Sequence, residues 1–307
     1  MSETGQIRIS PQHAPKQAAE SLGSRRLIGF LAFAALLALI FVRPLMSLAK
    51  YAIGTDIHAH VVMIPFISAY LIYLQRKQLP KDYVFSLGWV SILLVAGLAA
   101  LLVAGSVIKI NPPISQSDYL SLITFSFVCL VSAGGFLFMG RKWMAAVAFP
   151  FAFLIFMVPL PDAVVAGLET ASKLASAEAA ALFFSISGTP VLRDGTIFQL
   201  PGIIIEVAQE CSGIRSSWVL FITSLLASYL FLRSPWRRAA LVLVVIPLAI
   251  LRNGLRILVI GLLCVEIGPQ MINSIVHHQG GPLFFALSLI PLFLLLWWLR
   301  KGEGRKG

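Results

Sequence analysis

A short polar segment, residues 206–216, interrupts a very apolar chain and carries a cysteine, Cys211, in the order Glu-Cys-Ser-Gly. An apolar helix is predicted to begin near Ile214, which places the thiol at a helix N-terminus. The N–H groups and the dipole there favour an anion, and only a thiolate is a strong nucleophile. Cys211 is therefore a candidate nucleophile, whereas taken alone it would be a small capping residue. The carboxylates of Glu206 and Glu210 disfavour a thiolate because they carry the same charge. They must therefore point away from Cys211 or be paired with cations.

A second polar cluster, Arg252, Asn253 and Arg256, interrupts the apolar run 239–266. The two arginines are four residues apart and would share a helix face. An arginine in the middle of a membrane span costs about 2.5–3.5 kcal/mol, so two of them indicate a functional role. The alternative is a pair of side chains that snorkel to the membrane boundary.

A third cluster, His277 and His278, comes just before the last apolar run. A histidine titrates near neutral pH and can transfer a proton between reacting groups. Two adjacent histidines without a carboxylate make a poor zinc site. His58 and His60 could add ligands only through a tertiary coincidence, so neither a metal nor a cofactor is expected.

The composition predicts an all-α polytopic membrane protein. The 307 residues are 58% hydrophobic and 12% charged, with a mean hydropathy of +0.89. Soluble domains carry about 25% charged residues. The net charge of +11 lies in short clusters between apolar runs, and no basic and aromatic face suited to nucleic acid is visible. Membrane lipid is thus expected as a partner, and nucleic acid is excluded.

About eight transmembrane helices are predicted, each close to the length that crosses about 30 Å of hydrocarbon. Their ranges are 27–47, 59–75, 86–108, 119–139, 143–160, 214–232, 239–266 and 282–299. The seventh is long and polar enough to be tilted, broken or partly outside the membrane. Residues 1–25 are predicted to be a disordered cytoplasmic tail, 26–300 a single transmembrane domain, and 301–307 a second cytoplasmic tail.

The lysines and arginines predict the orientation of these spans. With the N-terminus inside, the inner segments hold 16 basic residues and the outer segments hold 8. Residues 162–187 are long enough to span but carry Glu169, Lys173 and Glu178, which are costly in hydrocarbon. This helix is therefore predicted to lie at the outer interface or to line a groove. The three polar clusters then share the extracytoplasmic, periplasmic face of the inner membrane.

The outer segment before Cys211 shows strand signals. Asp194-Gly195 lies between β-prone residues, which is typical of a hairpin, and 203–207 could form another strand. A small extracytoplasmic loop and hairpin region is thus predicted to lead into the cysteine.

A thiol, a guanidinium and an imidazole at one membrane boundary suit acyl transfer. Cys211 would attack a peptide carbonyl and form a thioester, while Arg256 stabilises the oxyanion and His277 handles the proton. The roles of Arg256 and His277 could also be exchanged, and the residues alone do not decide between the two assignments.

The order Cys, Asn-x-x-Arg and His-x-x-x-Gly with apolar helices between resembles the exosortase/archaeosortase family of membrane transpeptidases. The resemblance covers roughly 60–299 and is strongest in Met157 to Pro161, Gly188 to Ser216, Asn253 to Ile257, and His277 with Gly281 and Phe285. It implies a catalytic set of Cys211, Arg256 and His277. His278 and Arg252 are alternates for the last two, and Asn253 and Arg215 are possible supporting residues.

The resemblance also implies substrates, which are exported proteins with a C-terminal sorting signal. Such a signal has a short recognition motif, a transmembrane helix and a basic tail, as in the PEP-CTERM type, and similar enzymes are often associated with exopolysaccharide production. The predicted function is a membrane-embedded cysteine protease or transpeptidase. A transporter or a scaffold component of exopolysaccharide export is the alternative, and the lack of a matching broken helix in the first half disfavours the transporter.

Overall fold

The computed structural model describes residues 14–55, 57–80, 82–107, 114–207, 213–273 and 281–304. The helices form two compact units, one ending at Asp162 and the other beginning at Ala163. The predicted division into one transmembrane domain over 26–300 and two cytoplasmic tails stays a prediction.

The first unit consists of helices and 3₁₀ turns. The α-helices are α1 (Ala14–Ile40), α2 (Val42–Gly54), α3 (Ile64–Gln75), α4 (Leu87–Val107), α5 (Gln116–Met139), α6 (Arg141–Ala146) and α7 (Ala148–Phe153), with 3₁₀ turns at Ala59–Met63 and Leu154–Met157. Helix α4 packs along α5, and α1 packs against α5 as well. An aromatic cluster of Phe30, Trp143 and Phe151 closes one end of this core.

The predicted span 143–160 differs from the structure, which divides this stretch into α6, α7 and a 3₁₀ turn. Pro150 lies in the first turn of α7 and has no N–H to continue the hydrogen-bond ladder from α6. The extended segment that follows is tied to the start of α5. Ser121 Oγ donates to the Pro159 carbonyl at 2.6 Å, and Asp118 accepts from the Asp162 N–H at 2.9 Å.

The second unit combines long helices with a small sheet. It contains α8 (Asp162–Ser187), β1 (Leu192–Asp194), β2 (Ile197–Leu200), β3 (Ile203–Glu206), α9 (Ile214–Phe231), α10 (Pro235–Glu266), a 3₁₀ turn at Pro269–Asn273, and α11 (Gly281–Gly304). Helix α10 is continuous over 32 residues despite Pro247. Such a helix is about 48 Å long, longer than the membrane is thick, so it must tilt or extend beyond the hydrocarbon.

The strands form an antiparallel sheet in the order β1-β2-β3, as the hairpin signal predicted. Asp194 pairs with Ile197, so the central turn residues are Gly195 and Thr196. Gly195 has a φ of 58°, a conformation that glycine adopts without steric cost. The aspartate is therefore the last residue of its strand rather than part of the turn.

The sheet and α8 pack against the C-terminal half of α10. Phe184, Phe198, Ile205 and Val207 are buried in this core together with apolar residues of α10. Gly254 of α10 permits the close approach, since a Cβ at this position would lie 2.6 Å from the Ala179 Cβ. The end of β3, which leads towards Cys211, is thereby anchored to α10.

Among the described residues, six helices are long and apolar enough to cross a membrane: Gly23–Ile40, Leu87–Val107, Gln116–Met139, Ile214–Phe231, Pro235–Glu266 and Gly281–Glu303. The pair Ala148–Met157 and Asp162–Ser187, bent by 91°, would make a seventh span if it counts as one. The predicted second span is the shorter apolar helix Ala59–Gln75. The predicted fold class, an all-α polytopic membrane protein with a small sheet, is confirmed.

Candidate active site

The segments that hold Cys211, His277 and His278 lie outside the described residues, and the elements on either side of them are described. The cysteine segment runs from the end of β3 to Gly213, the residue before α9. The histidine segment runs from the 3₁₀ turn at Pro269–Asn273 to the start of α11.

Gly213 is the point where the cysteine segment is attached to the helices. Its φ is 70°, and its carbonyl oxygen accepts from the Ser217 N–H at 3.0 Å and from the Ser217 hydroxyl at 2.8 Å. The Ser216 hydroxyl at 3.2 Å and Arg252 Nη2 at 3.1 Å donate to the same oxygen. This convergence of donors fixes the chain two residues after Cys211.

Arg252 joins α10 to this attachment point. Its side chain is only 7% exposed, and Nη2 also donates to Ser217 Oγ at 3.1 Å. Nη1 is buried as well and has no acceptor among the described residues. Because the guanidinium is buried and bonded to α9, Arg252 does not snorkel to the headgroups.

Asn253 contacts the same glycine from the next position of α10. It is 2% exposed, and a Cβ on Gly213 would lie 2.9 Å from Asn253 Oδ1 and 3.0 Å from Arg252 Nη2. A larger residue at this position would therefore displace one of these side chains, and the left-handed φ of Gly213 disfavours it as well. Asn253 and Arg252 thus both lie against Gly213, the residue that ends the cysteine segment.

Arg256 lies one helical turn beyond Arg252 on the same face of α10 and is half-buried. The rise of one turn separates the two positions by about 6 Å along the helix axis. Arg215, in the first turn of α9, is exposed. The two candidate arginines of α10 therefore differ in burial, since Arg252 is buried and Arg256 is half-buried.

The glutamates that would oppose a thiolate can be followed in part. Glu206 Oε1 lies 3.4 Å from Lys173 Nζ of α8, so this carboxylate is paired. Glu178 of α8 receives a two-pronged contact from Arg193 of β1, at 2.6 and 2.8 Å. Helix α8 thus uses two of its charges to hold the sheet, a role that the sequence did not reveal. Glu210 lies outside the described residues.

The electrostatics at the start of α9 favour an anion. The N-terminus of a helix carries about half a positive charge. Arg252 places a full cation against this end, and one of its nitrogens is without an acceptor among the described residues. This positive potential lies two residues from Cys211, and a thiolate or an oxyanion would relieve it.

His58 and His60 lie in the first unit, in and beside the 3₁₀ turn at Ala59–Met63. His58 is buried and packs its ring 5.2 Å from the ring of Tyr51. No group of three or more His, Cys, Asp or Glu that could hold a metal ion is found among the described residues.

Ser217 is a site residue that the sequence analysis missed. Its hydroxyl bridges the Gly213 carbonyl and Arg252. A serine four residues after a left-handed glycine, at the start of an apolar helix, is a weak signal, because serine hydroxyls commonly bond to carbonyls of the preceding turn.

A comparison with protein families gave a match over residues 51–294, to a family model described as "Transmembrane exosortase (Exosortase_EpsH)". The match begins at the end of α2 and ends within α11, so it covers the sheet, α9 and α10. Neither the curated proteins nor the solved structures gave a match.

Proposed function

The chain belongs to the transmembrane exosortase family, and on this premise we propose that it is a membrane-embedded cysteine protease or transpeptidase. The substrates would be exported proteins with a C-terminal sorting signal of the PEP-CTERM kind. The active site would face the periplasm, in agreement with the excess of lysine and arginine on the opposite side.

The observation that carries the proposal is the positive potential at the start of α9. Arg252 is held against the Gly213 carbonyl at 3.1 Å, at the end of a helix where a cation is unfavourable. A buried charge in such a place costs free energy unless an anion compensates it. A Cys211 thiolate is the anion that the sequence offers there, and the nearby Glu206 carboxylate is already paired with Lys173.

In the proposed reaction, His277 takes the proton of the Cys211 thiol, and the thiolate attacks the carbonyl carbon of the peptide bond that is to be cleaved. The carbonyl oxygen becomes an oxyanion, which Arg256 stabilises through its planar fork of donors. The peptide bond breaks as His277 protonates the leaving amine, and a thioester remains on Cys211. An acceptor nucleophile or water then releases the product. If the roles of Arg256 and His277 are exchanged, the same bonds form and break.

Arg252 and Asn253 have a supporting role in this mechanism. Arg252 donates to the Gly213 carbonyl, and Asn253 lies against the same glycine, two residues after Cys211 in the chain. Arg252 raises the local potential without touching the substrate.

Replacement of the nucleophile tests the proposal. Cys211→Ala should abolish processing, and Cys211→Ser should be severely impaired because a hydroxyl is a much weaker nucleophile. Processing is followed by mass spectrometry of the mature C-terminus of a candidate substrate from the same cell. Cys129→Ala is the matched control, since Cys129 is 6% exposed and lies in α5. Full processing by Cys211→Ala would overturn the covalent mechanism and favour a transporter or scaffold.

The side of the membrane needs a separate test. Cys129 and Cys264 are buried, so both are replaced by alanine to leave Cys211 as the sole thiol. A membrane-impermeant thiol reagent applied from the periplasmic side should label Cys211. Labelling that requires access from the cytoplasm would reverse the topology.

A further inference from the structure

The ends of α9, α10 and α11 meet at a second polar cluster, far along α10 from the candidate active site. The Glu303 carboxylate of α11 accepts from the Arg233 N–H at 3.0 Å and the Ser234 N–H at 2.8 Å. Arg237 of α10 donates to the Leu299 carbonyl at 2.8 Å and the Gly302 carbonyl at 3.1 Å. These bonds hold the three helix ends together.

A cavity of about 840 Å³ opens at this junction. Its charged lining consists of Arg233, Arg237, Arg238, Arg300 and Glu303. The only carboxylate among the described lining residues, that of Glu303, is already engaged by backbone N–H groups. The cavity therefore carries a net positive charge, and its volume suits a small organic ligand or a headgroup.

The arginines of this cavity divide into two groups. Arg237 is buried and bonded to carbonyls of α11, and Arg238 Nε donates to the Leu232 carbonyl at 2.8 Å. Arg233 and Arg300 are exposed, and neither has an acidic partner within ion-pair distance among the described residues. The first group builds the cavity, and the second is available to bind an anion.

Exposed tryptophans surround the same junction. Trp236, Trp297 and Trp298 are 61–64% exposed. Exposed tryptophans of membrane proteins concentrate at the level of the lipid headgroups. Lysine and arginine pockets between transmembrane helices at this depth bind anionic headgroups. The basic cavity and the exposed tryptophans together indicate that the anion is the headgroup of a lipid.

We propose that the cavity at the junction of α9, α10 and α11 binds the phosphate of an anionic phospholipid headgroup, with Arg233 and Arg300 as the direct contacts. Arg237 and Arg238 are scaffold for this site. The proposal does not depend on the chemistry at Cys211. It assigns a lipid-binding site to one cavity of the protein.

Lipid binding by the purified full-length protein in detergent tests the proposal. A fluorescent phosphatidylglycerol is titrated into the protein, with a fluorescent phosphatidylcholine as the neutral comparison. Each surface arginine contributes about a fivefold factor to anionic lipid affinity, so the double variant Arg233→Gln with Arg300→Gln should bind phosphatidylglycerol about 25-fold more weakly. Phosphatidylcholine binding should not change.

The matched control is Lys77→Gln with Arg141→Gln, which removes the same charge from exposed residues of the first unit. Its affinity for phosphatidylglycerol should change less than twofold. An equal loss in both double variants would mean that net charge alone attracts the lipid, and it would overturn the site. If the double variant fails to fold, Arg300→Gln alone is measured, and a loss below twofold overturns the proposal.

Inorganic phosphate distinguishes a lipid from a soluble anion. Addition of phosphate at a concentration comparable to the lipid should leave phosphatidylglycerol bound, because the acyl chains contribute to its affinity. Displacement at that concentration would instead identify a site for a soluble phosphate compound, and the lipid assignment would be wrong.

Discussion

Helix α10 carries two buried arginines that donate to backbone carbonyls, and their surroundings differ. Arg237 binds carbonyls of the last turns of α11, where the helix dipole is negative. Arg252, about 22 Å further along the helix axis, binds the carbonyl of Gly213 at the start of α9, where the dipole is positive.

Under the proposed mechanism, the difference separates a structural arginine from one that supports the reaction. Arginine near a helix C-terminus satisfies the last carbonyls and is stabilised by the dipole, which accounts for the two bonds from Arg237 to α11. The helix dipole disfavours Arg252. Each of the two arginines has one buried nitrogen without a partner among the described residues, so the sign of the dipole is what distinguishes them. Burial of the Arg252 guanidinium at the positive end of α9 costs free energy. The same positive potential would stabilise an anion formed during the proposed reaction.

Substitution of Arg256 should have the largest effect. Arg256→Lys replaces a planar fork of donors by a compact ammonium, which matches an oxyanion poorly. Loss of one preorganised oxyanion donor costs about 2.7–4 kcal/mol, or roughly a hundred- to a thousandfold in rate. The rate is measured in the substrate-processing assay at equal membrane levels of the variants. If Arg252→Lys is dead while Arg256→Lys is active, the catalytic arginine has been assigned one turn out of place.

Gly213, which ends the cysteine segment, should be the next most sensitive position. Gly213→Ala places a Cβ in the left-handed region and against Asn253 and Arg252. Strain and overlap together should cost about 2–3 kcal/mol in the free energy of unfolding. Gly188→Ala is the matched control, since its φ of 72° is similar but its Cβ would meet nothing within 4 Å.

Thermal unfolding in detergent measures both glycine variants. Gly188→Ala should lose only the strain, about 1–2 kcal/mol. Equal losses of unfolding free energy in the two variants would show that Arg252 and Asn253 do not restrict the residue at position 213.

A pair of lysine variants tests the comparison between the two arginines directly. Arg252→Lys and Arg237→Lys each lose about one charged hydrogen bond, worth about 1.5 kcal/mol of stability. For the Arg237 variant, substrate processing should fall only as much as the amount of folded protein falls. For the Arg252 variant, processing should fall more than the amount of folded protein. The same behaviour in both would remove the functional distinction.

Removal of an exposed ion pair should have the smallest effect on the free energy of unfolding, and it serves as the reference for the other variants. Lys142 Nζ lies 2.9 Å from Asp82 Oδ2, with the two side chains 54% and 75% exposed. Lys142→Gln should change the free energy of unfolding by only about 0.2–1 kcal/mol, because solvent screens such pairs. A shift in unfolding temperature as large as that of Arg252→Lys would mean that burial does not explain the importance of Arg252.

The sequence predicted the membrane class, six of the long helices and the strands, because each depends on a local pattern of apolar and turn residues. It did not predict the break between α6 and α7 or the continuity of α10 through Pro247. Both depend on whether neighbouring elements satisfy the backbone groups that a proline leaves unpaired.

The sequence by itself determined which residues could carry the chemistry, since Cys211, Arg256 and His277 are unusual in apolar surroundings and their order resembles that of a known family. Only the tertiary structure decided what the neighbouring residues do. The contact of Arg252 with Gly213 and the pairing of Glu206 with Lys173 join positions more than thirty residues apart. Spacing along a chain does not specify which side chains meet when helices pack, because a helix end can be approached from several directions with similar apolar burial.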